Sequence, residues 1–202
     1  MKRFAFTMLE LVFVIIVIGI LAVLAMPNFT TNPLQQAAEQ VARDIRYTQH
    51  LAMMDDKYDP TDQFWYRENW QMEFKKFNSP LEIYYEIYAD TDHLGNSDIN
   101  ETARDPLTGY LLDHDGNVTN LTKNFGIINV IFSANCMQGG GVGEMSFDSM
   151  GRPNYYVTSG TTLNQYLLTT DCNITLQHKA DGNATITIRP DTGYVSVRYI
   201  NP

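Results

Sequence analysis

Cysteine and histidine are scarce in this chain, and that scarcity removes most metal and catalytic readings. There are two cysteines, Cys136 and Cys172, and four histidines, His50, His93, His114 and His178, scattered along 202 residues. No CxxC pair and no paired histidines near the cysteines occur, which argues against a zinc site. HExxH, GxSxG and SxxK are all missing, so the reading is of a protein that is not an enzyme. Cations are also few: 14 Lys plus Arg stand against 23 Asp plus Glu, a formal net charge of -9. Neutralising nucleic acid needs clustered cations, so nucleic acid is not an expected partner. Internal repeats and low-complexity tracts are lacking. The run Gly139-Gly140-Gly141 with Gly143 has no Lys-Ser/Thr after it and reads as a linker or bulge.

What is present is a core and an unusual N-terminus. Hydrophobic residues make up 44% and aromatics 12%, enough for a packed domain plus an appendage. Lys2 and Arg3 open the chain, and an apolar run from Phe4 to Met26 follows, broken by one charge, Glu10. A membrane span needs roughly 20 apolar residues, and this run meets that length. The cations before it predict an N-terminus in the cytoplasm and the remainder outside. A secretory signal peptide has an apolar core of only about 7–15 residues. A simple anchor has no use for Glu10, because a carboxylate at membrane depth costs on the order of 3 kcal/mol.

The stretch Ala5-Phe6-Thr7-Met8-Leu9-Glu10-Leu11-Val12 resembles the processing motif of type IV prepilins and type II secretion pseudopilins. The resemblance implies a leader of residues 1–5, cut by prepilin peptidase between Ala5 and Phe6. It also implies N-methylation of Phe6 and an assembly role for Glu10. Gly19 and Pro27 stand where many members have a helix-loosening Gly and Pro. The family usually has Gly before the cut, where this chain has Ala5. Glu10 lies one helical turn beyond the amine that cleavage would create, so in stacked subunits it can meet the Phe6 amine of a neighbour. An unpaired charge in a low-dielectric layer is expensive, and such a pair would set register as well as contact.

Leu34, Ala38, Val41, Ile45, Thr48 and Ala52 fall on one face of a helix. Asn32-Pro33 reads as an N-cap followed by a first-turn proline, so a break or kink is expected between Pro27 and Pro33. Asp55-Asp56 and Asp59-Pro60 end the helix. Unbroken from Phe6 to Met54, it would be about 73 Å long. Trp70, Met72 and Phe74 alternate with polar residues, as do Ile83, Tyr85 and Ile87, and Asn78-Ser79-Pro80 turns between them. Further strands are expected at Ile127–Phe132, Glu144–Phe147, Tyr155–Val157, Ile174–Leu176, Thr185–Arg189 and Tyr194–Tyr199. The segment Ser146–Pro153, with Ile174–Leu176 and the Thr185–Val197 hairpin, resembles the head of H-class pseudopilins and FimT-like minor pilins. Its plain alternative is an ordinary strand-turn-strand around Gly151.

The expected fold is therefore α+β: a long N-terminal transmembrane and amphipathic helix, 6–56, packed on an antiparallel β-sheet head, 57–202, in the manner of pilins. The expected protein is a structural subunit of a type II secretion pseudopilus or a type IV pilus, serving protein secretion in the first case. It would be single-pass in the bacterial inner membrane, with its head in the periplasm. Its partners would be prepilin peptidase, other pilins or pseudopilins and the inner-membrane assembly platform. In that oxidising compartment Cys136 and Cys172 are expected to form a disulfide, with two buried free thiols as the alternative.

One loop suggests a cofactor. Asp90 through Glu101 spans twelve residues, with acids at positions 1, 3, 9 and 12 and Gly95 at position 6, a spacing that resembles an EF-hand calcium loop. The candidate calcium ligands are Asp90, Asp92, Asn96, Asp98 and Glu101. Leu94 stands where an oxygen donor is expected, and no flanking helix pair is evident. Asp113, Asp115 and Asn117 form a second acidic cluster. The alternatives are a solvated acidic loop and a rival function, a membrane-anchored calcium-binding or adhesive protein that does not polymerise.

Overall fold

Asn32 and Pro33 start the helix around which the head is built. The Asn32 side chain accepts a hydrogen bond from the Gln35 N–H at 3.0 Å, and Pro33, which has no N–H to leave unsatisfied, occupies the first turn. The structure is a computed structural model that describes residues 7–25, 32–137, 143–156 and 160–200. The chain divides into two compact units, Met1–Thr31 and Asn32–Pro202. The first contains helix α1, Met8–Ala25, and the second contains helix α2, Pro33–Met54.

Leu34, Ala38, Val41, Ile45, Thr48 and Ala52 of α2 are all buried. Ala37 and Ala42 widen the stripe, and their small side chains let the helix lie close to the strands it crosses. Strands β1, Gln71–Asn78, and β2, Leu81–Tyr88, form the expected hairpin. They combine with β4, Gly143–Phe147, and β5, Pro153–Tyr155, into an antiparallel sheet of order β2-β1-β4-β5. Strand β3, Ile127–Phe132, joins β6, Cys172–His178, β7, Gly182–Ile188, and β8, Val195–Ile200, in a second antiparallel sheet of order β3-β6-β7-β8. In β6 and β7 the alternation is clean: Ile174, Leu176, Ala184, Ile186 and Ile188 point into the core, while Thr187 donates to Asn173 on the outer face at 2.7 Å. Helix α2 packs against strands of both sheets, and a short helix α3, Leu121–Phe125, covers β2.

This architecture corrects the expected one. A long N-terminal helix on a single antiparallel head sheet does not form. The helical region consists of two separate helices, of 18 and 22 residues, because Asn32-Pro33 begins a helix rather than continuing one. The strands divide into two four-stranded sheets, because β3 pairs with β6 and not with its sequence neighbours β2 or β4. Among the described residues no helix is long and apolar enough to cross a membrane. The described helix α1 also carries a carboxylate in its first turn. The expected transmembrane segment is thereby overturned, and with it the inner-membrane anchor and periplasmic head that depended on it.

The α2–β2 contact carries a buried polar network. Asp44 is 3% exposed; Arg43 Nε donates to its Oδ1 at 2.8 Å and the Tyr85 hydroxyl to its Oδ2. Gln40 Nε2 in turn donates to the Tyr85 hydroxyl at 2.9 Å. Burial pushes the Asp44 carboxyl above the ordinary carboxylate range, against the downward pull of Arg43 and Tyr85. A folded pKa above the unfolded one means that the folded state holds the proton more tightly. The contribution to stability is therefore full below the unfolded pKa and is lost as pH rises through the folded one. Asp44→Asn stays neutral and keeps an acceptor for Tyr85. We expect its urea midpoint, relative to the parent, to rise between about pH 3 and about pH 7. A difference that stays flat or falls over that range would show that burial does not raise the Asp44 carboxyl.

Candidate functional site

Helix α1 presents one kind of surface. Thr7 precedes it, and its carbonyl and Oγ1 accept the Glu10 N–H at 3.1 and 3.3 Å. Glu10 lies in the first turn, where the helix dipole favours a negative charge. It is the one charged residue of the helix. All described side chains from Thr7 to Leu21 are exposed, including Leu9, Phe13, Ile15, Ile18 and Leu21. Gly19 lies within the helix without interrupting it, and a Cβ there would meet no atom within 4 Å. The cleavage and methylation positions Ala5 and Phe6, and Pro27, lie outside the described residues.

The acidic loop is built onto the end of β2. It is pinned at its base, where Ala89 N–H donates to the Glu101 carbonyl at 3.2 Å and Ala103 N–H to the Ile87 carbonyl at 2.8 Å. Asp90 is fully buried, and both of its carboxylate oxygens face the Gly95 N–H at 3.1 and 3.2 Å. Gly95 supplies the tight return with φ of 74°. Glu101 is 8% exposed. Its Oε1 accepts from Thr91 N–H at 2.8 Å, from Thr91 Oγ1 at 2.5 Å and from Asp92 N–H at 3.1 Å. Its Oε2 is buried with no hydrogen-bond partner. Asp92 is exposed, and its Oδ1 accepts the Leu94 N–H at 3.0 Å. Oxygens of Asp90, Asp92 and Glu101 lie within 4.8 Å of one another. Burial raises the Asp90 carboxyl above its ordinary range, and the charges of Glu101 and Asp92 push the same way.

Of the five expected ligands, the fold thus gathers Asp90, Asp92 and Glu101. Asn96 and Asp98 are exposed, and Asp98 stands outside that group. The Asp98 carbonyl is engaged in a turn, accepting from Glu101 N–H and Thr102 N–H at 2.9 Å each. No helix pair flanks the loop, so its frame is a strand end and not an EF-hand. Two of its residues have roles that the sequence reading did not assign. Thr91 holds Glu101, and Ser97 donates to Glu86 Oε2 at 2.8 Å on the outer face of β2. A threonine between two ligand-spaced aspartates was the available signal.

A second mixed group joins His93 of the loop to Asp62 and Glu68, with His93 Nε2 at 3.5 and 3.4 Å from the two carboxylates. The cluster at Asp113–Asn117 does a different job. Asp113 Oδ1 accepts the Gly116 N–H at 2.8 Å and its carbonyl accepts Thr119 Oγ1, which shapes a turn.

Gln49 of α2 was also unforeseen. Its Nε2 donates to the Gly151 carbonyl at 2.8 Å and to the Thr192 carbonyl at 2.9 Å. It thereby holds the turn between β4 and β5 and the turn between β7 and β8 on one side chain. Gly151 and Gly193 both have positive φ, and a Cβ on either would meet Gln49 Nε2 within 3.0 Å. Asp148 completes the first turn by accepting from Met150 N–H, Arg152 N–H and Arg152 Nε. Elsewhere, Cys136 and Cys172 are joined in a disulfide with a Cα–Cα distance of 5.5 Å, tying the end of β3 to the start of β6.

Comparison with protein-family models, with curated proteins and with solved structures finds no match to this chain.

Proposed function

We propose that this chain is a non-enzymatic assembly subunit of the type IV pilin or type II secretion pseudopilin kind. Prepilin peptidase would cut it between Ala5 and Phe6, the new Phe6 amine would be methylated, and subunits would join through α1. The observation that carries the reading is the surface of α1: a helix apolar on all sides, exposed from Met8 to Leu21, with a single charge in its first turn. Burying such a helix among similar helices gains roughly 25 cal/mol per Å² of apolar surface removed from water. The lone carboxylate then needs a cation inside that bundle, and an N-terminal amine one turn away in a neighbouring subunit supplies one. The rest of the chain, Asn32–Pro202, has its own core and supplies a head that does not depend on the bundle.

The reading makes two expectations for the mature protein isolated from its host. N-terminal sequencing should begin at Phe6 with a methylated amine. Cross-linking should capture other pilins and components of the assembly platform. A mature protein that starts at Met1 and cross-links to no second pilin would sink the proposal.

A further inference from the structure

We propose that Asp90, Asp92 and Glu101 form a calcium site that fastens the 90–101 loop to the end of β2. This inference is independent of the assembly reading, since it concerns the head alone. Three carboxylates converge within 4.8 Å, two of them on residues removed from solvent. Like charges brought that close in a low-dielectric setting repel strongly unless a cation lies among them.

The second observation is the state of Glu101. Its Oε1 is saturated by three donors, which fixes the orientation of the carboxylate, while Oε2 is buried and unpartnered. A buried anionic oxygen without a donor carries its full desolvation penalty. Such atoms are rare in native structures, and a bound ion is one way of completing them. Thr91 and Asp92 contribute backbone N–H groups to one oxygen of Glu101 and thereby keep the other free for a ligand.

The donor set chooses the ion. All three side chains offer oxygen, and neither His nor Cys belongs to the group, which disfavours zinc and copper. The ligands come from one irregular loop, with Asp92 at the solvent boundary where water can fill remaining positions. Calcium accepts 6–8 oxygens in irregular geometry, whereas magnesium demands a near-ideal octahedron. The neighbouring Asp62–Glu68–His93 group lacks a buried unpartnered oxygen and is not part of the site.

Calcium titration of the full chain, first stripped with chelator, tests this by thermal melting and by equilibrium dialysis. A ligand that binds only the folded state raises the melting temperature by about 5–10 °C at a hundred times its Kd. We expect that rise with calcium, its reversal by chelator and a much smaller rise with magnesium. Glu101→Gln and Asp92→Asn should each lose most of it, while Asp62→Asn should keep it. Asp92 is exposed, so its variant reports on the ion even where Glu101→Gln folds poorly. The site is refuted if millimolar calcium neither binds nor shifts the melt. It is equally refuted if Asp92→Asn retains the full shift, or if Asp62→Asn abolishes it. An equal shift with magnesium overturns the assignment to calcium.

Discussion

Glu10→Ala should abolish cross-linking of this subunit to its neighbours while leaving the head folded. Glu10 is exposed in the first turn of α1, and its backbone N–H is bonded to Thr7. The unit Asn32–Pro202 has its own core, so far-ultraviolet circular dichroism and melting should match the parent. Within an apolar bundle the Phe6 amine of the adjacent subunit would be left unpaired. Losing one partner of a buried pair costs about 3–5 kcal/mol, at least about a hundredfold in association. Glu10→Gln separates charge from shape, because it preserves size and one carbonyl oxygen. We expect Gln to behave like Ala. If the Ala variant is processed and cross-linked at parental levels, the carboxylate is no assembly determinant, and the proposed function loses its main physical support.

The second large effect belongs to the disulfide. Cys136 and Cys172 close a loop of 36 positions, for which the chain-entropy account gives about 4 kcal/mol of stabilisation. Both residues are fully buried, and among the described strands β3 is an edge strand paired only with β6. Reduction, or the double variant Cys136→Ala with Cys172→Ala, should lower the melting temperature by about 8–16 °C. Alkylation of the unreduced, denatured protein should find no reactive thiol. Two reactive thiols there, or an unchanged melt after reduction, would refute the structural role.

What could be read from the sequence follows the range of the forces involved. The α2 stripe and its Asn32-Pro33 start were legible, because period and capping are set by residues three or four apart. Strand positions were legible from alternation for the same reason, although the expected strand at Tyr155–Val157 corresponds to one at Pro153–Tyr155, with Val157 outside the described residues. Strand partnership was not legible. The pairing of β1 with β4 and of β3 with β6 joins residues some seventy and some forty-five positions apart, and no local pattern specifies it. Strand β2 shows the limit most clearly. Its alternation placed Tyr84 and Glu86 outward, yet both are buried, because Lys75 and Ser97 engage Glu86 on a face that the acidic loop helps to cover.

The same division holds at the candidate sites. Loop spacing identified Asp90, Asp92 and Glu101, but spacing alone could not tell that the Asp98 carbonyl caps a turn, and its side chain stays exposed. The membrane expectation failed where a count of apolar residues stood in for helix length. The described helix holds 18 residues with Glu10 among them, and no described helix is long and apolar enough to cross a membrane.

Gln49 gives the head a mechanical property. One amide near the C-terminal end of α2 is bonded to a turn of each sheet, at Gly151 and at Thr192. Tension applied along α2 therefore reaches the two sheets in parallel, and neither can shear past the helix without breaking its own bond to Gln49. Because the two hydrogens of one Nε2 serve the two carbonyls, loss of this single side chain would unfasten both turns from α2 at once.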